Sequence, residues 1–302
     1  MESVFCIVFM ILLGLQGTRV SEAPDTYLKR PASSWVMDLS HAQAKTRRAA
    51  AFALGKLGKH SLPYVNQLKS LLQSDADAGV REAAAGTLGE LVSLAPTEII
   101  GSLLASVGKE NDLAVRRTLV LSIGKAGEAA AAAEPVLRQT LEQADAGLRR
   151  NAAWSLGQLG KTSSRAIDAL IKALSDQETD VRSEAVAALG NLGTIASEAI
   201  GPMIKTLHDG EHQVVEQGVL ALRKMGPVAV GSISSLLDIA EADKHAVSLR
   251  QSALITVETV WPTGHKENTS WNRLQGLARN AKDEMVKAAA QQAEKKIGAV
   301  RQ

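Results

Sequence analysis

Apolar positions recur along this chain in helical steps, grouped into repeating units. From Val80 they fall at Val80, Ala84, Leu88 and Leu91, and from Val181 at Val181, Ala185, Leu189 and Leu192. Steps of four, four and three place all four residues on one face of an α-helix. An Arg follows the first apolar residue in most copies and serves as an anchor for counting. The anchors are Arg47, Arg81, Arg116, Arg149, Arg182, Val215, Arg250 and Lys287, spaced 33 to 37 residues apart. An amphipathic helix recurring at that period predicts a stacked array of two-helix units, with the motif on the second helix of each.

Smaller signals fit the same unit. The residue three after the anchor is small at Ala50, Ala84, Ala152, Ala185, Gly218, Ala253 and Ala290, which lets helix backbones approach closely. A closing Gly at Gly58, Gly127, Gly160, Gly193, Gly226 and Gly298 is expected to end the second helix in the left-handed conformation. Pro63, Pro135 and Pro202 suit the first turn of the helix that follows. An acid lies four residues before the anchor at Asp77, Asp112, Asp145, Glu178, Glu211 and Asp283, and the Asp copies suit the helix N-cap. Stacking is expected to line these acids up beside Arg47, Arg81, Arg116, Arg149 and Arg182 as a charged ladder. The alternative is an Arg row for an anion or a partner, but recurrence in every unit favours the structural role.

These repeats resemble the HEAT-like repeat family, in particular the short type also found in phycobilisome lyases. The match is the recurring V-R-x-x-A-x-x-x-L-G-x-L-G, as in Val181-Arg182 through Leu189-Gly190-Asn191-Leu192-Gly193, and it covers about residues 35–302. The resemblance implies an all-α fold, a right-handed superhelix of about eight antiparallel helix pairs, with the second helices lining the concave side. It implies protein–protein interaction as the default activity. Two relatives with chemistry supply the alternative, a phycobilin-lyase-like or deoxyhypusine-hydroxylase-like enzyme. The hydroxylase holds di-iron through His-Glu pairs, and this chain has no His-Glu dipeptide.

The N-terminus is a separate object. Val4 to Leu15 is an uninterrupted apolar run of 12 residues, too short for a bilayer, which needs roughly 20. Ser21-Glu22-Ala23 offers small residues where a signal peptidase reads, so residues 1–23 are read as a secretory signal peptide, 24–34 as a linker and 35–302 as the repeat domain. Against this, Met1-Glu2-Ser3 carries no basic residue, and cleavage would leave Pro24 first. The expected location is periplasmic or extracellular, with anchoring by the uncleaved segment as the alternative. Cys6 is the only cysteine, so a cleaved chain has no disulfide and no thiolate metal site. Asn268-Thr269-Ser270 matches the glycosylation sequon.

Composition narrows the function. With 34 basic and 32 acidic residues the formal charge is +2, too balanced for a nucleic-acid partner. His208 and His212 are four apart, but Gly210 puts them across a turn, away from the one-face geometry a metal wants. No phosphate-binding Gly loop or Ser nucleophile elbow appears. No catalytic residue, metal or cofactor is expected.

What remains is the outward face of the second helices. Positions five after the anchor point away from the packed face, and there Phe52, Leu121, Trp154, Leu220 and Ile255 form a broken apolar stripe. Lys56, Glu90, Lys125, Gln158, Asn191 and Lys224, nine after the anchor, and Asn151, Glu184 and Gln217, two after it, flank the stripe. An apolar row with a polar rim is how a partner groove is built. The other reading of Leu121, Leu220 and Ile255 is space-filling between helices. The sequence therefore predicts a monomeric, exported, non-catalytic scaffold that binds another protein or peptide, with Trp154 its principal contact.

Overall fold

The computed structural model describes residues 25–160 and 164–301. They form an all-α solenoid whose helices fall into eight consecutive pairs. The pairs are α1 (Ala32–Met37) with α2 (Ala44–Lys56), α3 (Val65–Ser74) with α4 (Ala78–Leu91), α5 (Pro96–Val107) with α6 (Leu113–Gly124), and α7 (Glu134–Thr140) with α8 (Ala146–Gln158). Then come α9 (Ser164–Ala173) with α10 (Thr179–Leu192), α11 (Ile200–Thr206) with α12 (His212–Met225), α13 (Ile233–Glu241) with α14 (Val247–Val260), and α15 (Asn268–Asn280) with α16 (Glu284–Arg301). The chain divides into two compact units, residues 1–87 and 88–302.

The apolar face is the one the periodicity predicts. Val80, Ala84, Leu88, Leu91, Val181, Ala185 and Leu189 have no exposed surface. Each fully buried Leu contributes roughly 1.5–3 kcal/mol. Helix ends follow the local signals too. Gly58, Gly127, Gly160, Gly193 and Gly226 all take positive φ, between 51° and 67°. Gly298 does not: α16 runs through it to Arg301, because glycine permits the left-handed turn without imposing it. Asp77, Asp112, Asp145 and Asp283 accept hydrogen bonds from the free N–H groups of the helices they start. Glu178 and Glu211 occupy the same place without a side-chain bond.

The ladder exists, but its rungs are other residues. Arg47 grips Asp75, Arg149 grips Asp176 and Arg182 grips Asp209, each through Nε and Nη2 at 2.7–2.9 Å. These acids lie six residues before the next anchor, not four. The Nη1 of each Arg meanwhile donates to two backbone carbonyls at the end of its own first helix, His41 and Ala42 for Arg47, Gln143 and Ala144 for Arg149. The acids at minus four are engaged as caps, which takes Asp77 and Asp112 out of the ladder. Asp145 is both a cap and the partner of Arg117, one residue past an anchor. In the third unit Gln143 stands at minus six and Arg116 reaches it only at 3.4 Å. Arg81 donates to the carbonyls of Asp75 and Ala76.

Successive second helices touch through a knob and a bare patch. A side chain six after one anchor sits on the first Gly of the preceding motif: Ser155 on Gly124, Ala188 on Gly157 and Ala221 on Gly190. A Cβ added at Gly190 would lie 2.6 Å from the Ala221 Cα. Hydroxyls at the knob also cross-link helices, Ser155 donating to the Val120 carbonyl at 2.9 Å and Thr87 to that of Ala51 at 2.7 Å. In the sixth unit Arg223 replaces this Gly and bridges α12 to α14, donating to Thr256 and Ser252. Burial lowers its pKa from the usual arginine value. In the seventh Glu258 replaces the Gly and pairs with Lys296 of α16. Where backbone contact is lost, polar links between the same helices replace it.

Residues 24–34, expected to be a linker, are structured from residue 25. Thr26–Tyr27 pairs antiparallel with Arg30–Pro31 around Leu28 and Lys29, both at positive φ as a tight hairpin turn demands. The hairpin clasps the first pair of helices. Trp35 Nε1 donates to the Tyr27 carbonyl, the Tyr27 ring lies 6.3 Å from Trp35 and 6.4 Å from Phe52, and Arg30 stacks 3.9 Å over Trp35. The polar connection after α14 is likewise pinned by buried Trp261, whose Nε1 donates to the His265 carbonyl and whose ring meets Trp271 edge-on. The apolar run and the cleavage signal proposed for residues 1–23 lie outside the described residues.

Candidate functional site

The second helices of residues 88–302 present a groove where the sequence places its principal contact. It has a volume of about 360 Å³ and runs over α6, α8, α10 and the start of α12. Leu121 and Trp154 form its apolar floor, and Arg150, Asp180, Glu184 and Gln213 its polar wall. The repeat explains the assembly: residues one, two and five after each anchor point outward at each step of the stack.

Trp154 is positioned by the bare patch beneath it. A Cβ built on Gly124 would meet Trp154 Cζ3 at 2.7 Å, so the indole lies on glycine backbone. The ring is thereby half-buried and still offers an edge to the groove. On the wall, Gln213 bonds Ser183 at 3.3 Å and Asp180 at 3.4 Å, and Arg150 stands 3.8 Å from Asp180. Glu184 is different. It is half-buried and accepts no hydrogen bond among the described residues. Burial pushes its carboxyl above the ordinary glutamate value, with Asp180 adding to this and Arg150 and Lys224 opposing it. A carboxyl desolvated without a partner favours a ligand that brings a hydrogen-bond donor.

The other predicted residues fall into three groups. Asn151 lines the groove but is buried, and its amide donates to the Arg117 carbonyl at 3.0 Å, tying α8 to α6. Lys125 pairs with Glu90, and Lys224 donates to Asn191 at 2.7 Å. The residues nine after the anchor thus form rungs between neighbouring second helices. Gln158 is half-buried at that position on α8. Phe52 is 51% exposed, but the Tyr27 ring and the Lys56 ammonium, 5.0 Å from its centroid, already cover part of it. Leu220 and Ile255 are exposed on α12 and α14, apart from the groove. Reasoning from sequence placed Glu184 on the groove rim but not its desolvation, and it missed Arg150 and Asp180 as its neighbours. Only the places of Arg150, one after an anchor, and Asp180, two before one, distinguish them. His208 and His212 flank the start of α12, and no cluster of three metal-ligating groups occurs among the described residues.

Comparison with known proteins supports the architecture. The family model described as HEAT repeats matches residues 100–190 and 167–258, more than half of the chain, and that of the PBS lyase HEAT-like repeat matches residues 46–74. No curated protein matches. Among solved structures, an engineered protein aligns with a TM-score of 0.60 at 19% identity, over 89% of this chain and 78% of its own. The Escherichia coli protein YibA aligns with a TM-score of 0.59 at 17% identity, over 87% of this chain and 92% of its own. The complex of CpcE and CpcF of phycocyanin lyase from a Nostoc species aligns at 0.48 and 21% identity, over 77% and 94%. The first two likenesses show a shared fold alone.

Proposed function

The chain belongs to the HEAT-repeat family, and from that premise we propose that it is a non-catalytic scaffold gripping an extended protein segment along its second helices. HEAT repeats serve protein interaction in general. The observation that carries the finer reading is the pairing, in one groove, of an apolar floor at Trp154 and Leu121 with an unsatisfied acid at Glu184. The segment it suits carries an apolar side chain beside a lysine or arginine. The apolar group covers the indole, and the cation meets Glu184, whose carboxylate it holds ionised.

Peptides selected from a displayed random library against the purified protein test this. The expected winners pair an apolar with a basic residue. Trp154→Ala is expected to weaken them by about 2 kcal/mol, roughly thirtyfold, with helical content unchanged. Glu184→Gln is expected to weaken those with a basic residue and spare those without one. Peptides that bind Trp154→Ala as tightly as the parent rule the groove out.

We place this activity outside the cytoplasm, on the strength of the apolar run from Val4 to Leu15 and the small residues at Ser21 and Ala23. No helix among the described residues is long and apolar enough to cross a membrane. N-terminal sequencing of the protein isolated from its native cells is expected to begin at Pro24. A chain still beginning at Met1 or Glu2 overturns export by cleavage.

A further inference from the structure

The arginine ladder is interrupted once in a way that leaves a place open. Arg250 is only 6% exposed, as deeply set as Arg149 at 7%. Arg149 makes four hydrogen bonds, two of them to the Asp176 carboxylate. Six residues before the next anchor, where Asp75, Asp176 and Asp209 stand in other units, Arg250 faces Ala281. Its Nε turns to the Ala240 carbonyl at 2.9 Å, and Nη1 pairs with Asp243, a carboxylate 63% exposed, at 3.1 Å. Nη2 has no acceptor among the described residues.

A pocket of about 370 Å³ occupies this place, lined by Arg250, Arg273, Leu277, Asn280, Ala281 and Lys282 together with the carboxylates Glu241 and Asp243. Its counterpart in the first unit is lined by Arg47, Leu71, Ser74, Asp75 and Ala76. Counted from the following anchor, Leu277, Asn280, Ala281 and Lys282 hold the places of Leu71, Ser74, Asp75 and Ala76. The backbones agree as well. Asp75 has φ −67° and ψ 135°, and Ala281 has φ −58° and ψ 133°. Each donates its N–H to the carbonyl four residues back at 3.0 Å. The two sites share this backbone but differ in the carboxylate at the position of Asp75, in Arg273 at the place of Gln67, and in the Arg250 Nε, which turns to Ala240. The other acids do not stand at the place of Asp75: Glu241, in the lining, and Asp238 are both held by Arg273, and Asp243, also in the lining, is 63% exposed.

We propose that this pocket binds a carboxylate supplied from outside the chain, seated on Arg250 where the ladder aspartate sits in other units. A buried guanidinium lacking its bidentate acid is costly, and a planar carboxylate suits the fork best. Lys282, 90% exposed at the mouth and 3.9 Å from Asp243, adds positive charge along the entry.

Thermal unfolding at constant ionic strength tests this. Acetate, a blocked peptide with one internal aspartate, and a peptide whose only acid is its free C-terminus are each compared with chloride and with the fully blocked, acid-free peptide. At saturation at least one carboxylate is expected to raise the midpoint by about 2–4 °C over both controls, and whichever responds identifies the source. Ala281→Asp supplies the acid internally and is expected to raise the midpoint by itself and abolish the response. Ala281→Leu fills the pocket and is expected to abolish the response without that gain. No carboxylate response in the parent, or an undiminished response in folded Ala281→Asp or Ala281→Leu, overturns the proposal.

Discussion

Replacing Asp176 with alanine is expected to cost about 3–5 kcal/mol of unfolding free energy. The Arg149 and Asp176 side chains are only 9% and 13% exposed, and removing the acid strands a largely buried guanidinium. The urea midpoint checks this. Asp176→Asn, which keeps one acceptor, is expected to lose less. Asp180→Ala is the control: Asp180 and its partner Arg150 stand 3.8 Å apart with side chains 62% and 49% exposed, and the change is expected to stay within about 1 kcal/mol.

The same rungs set the acid limit of stability. Hydrogen bonds from their arginines hold Asp75, Asp209 and Asp145 below the usual aspartate range, Asp145 at about 2. At Asp176 burial pushes upward, but the bonds from Arg149 and the Glu178 N–H outweigh it and the net shift is downward. A carboxyl whose folded pKa lies below its unfolded one contributes fully above the unfolded value, near 4, and loses that contribution as pH falls through the folded value. Unfolding free energy is therefore expected to be level above about pH 5 and to fall steadily toward pH 2. In Asp176→Ala the fall is expected to be shallower.

Replacing Gly190 with alanine is expected to destabilise the protein by about 2–3 kcal/mol, against the helix propensity that favours alanine by about 1 kcal/mol. The new Cβ would meet the Cα and Cβ of Ala221 at 2.6 Å, and backbone cannot turn aside as a flexible side chain can. Helices α10 and α12 must separate, loosening buried Leu189 and Leu222 beside the contact. Gly101, in α5 with nothing within 4 Å of an added Cβ, makes the matched comparison. There alanine is expected to gain up to about 1 kcal/mol. Equal effects at the two sites would mean that the spacing of second helices is not set by glycine contact.

Much of the fold is legible in the chain because it is periodic. The buried positions around Val80 and Val181, the caps at Asp112 and Asp145, and the left-handed turns at Gly127 and Gly193 are local: each depends on residues within one or two helical turns. Gly298 shows the limit of such signals, since glycine allows a turn that the chain need not make. The ladder was misread for a related reason. Asp77 and Asp75 are two residues apart, both acidic and both near the anchor. Only the stack decides that one caps its own helix while the other crosses to Arg47.

The groove divides the same way. Trp154 stood out as a large aromatic at an outward position, a property of one helix. Glu184 is legible only as one rim residue among several, because a glutamate on an outward face is ordinary until neighbouring helices strip it of water. The open place at Arg250 is further still from the sequence. Ala281 is unremarkable until it is known that an aspartate belongs there, and that rests on contacts spanning 27 or 28 residues. The sequence by itself thus determined the helices, their ends and their stacking, because these follow from steps of three and four along one chain. The tertiary structure decided which charges meet, which glycine touches which knob and which polar groups are left unsatisfied, because those depend on distances between repeats that no local spacing encodes.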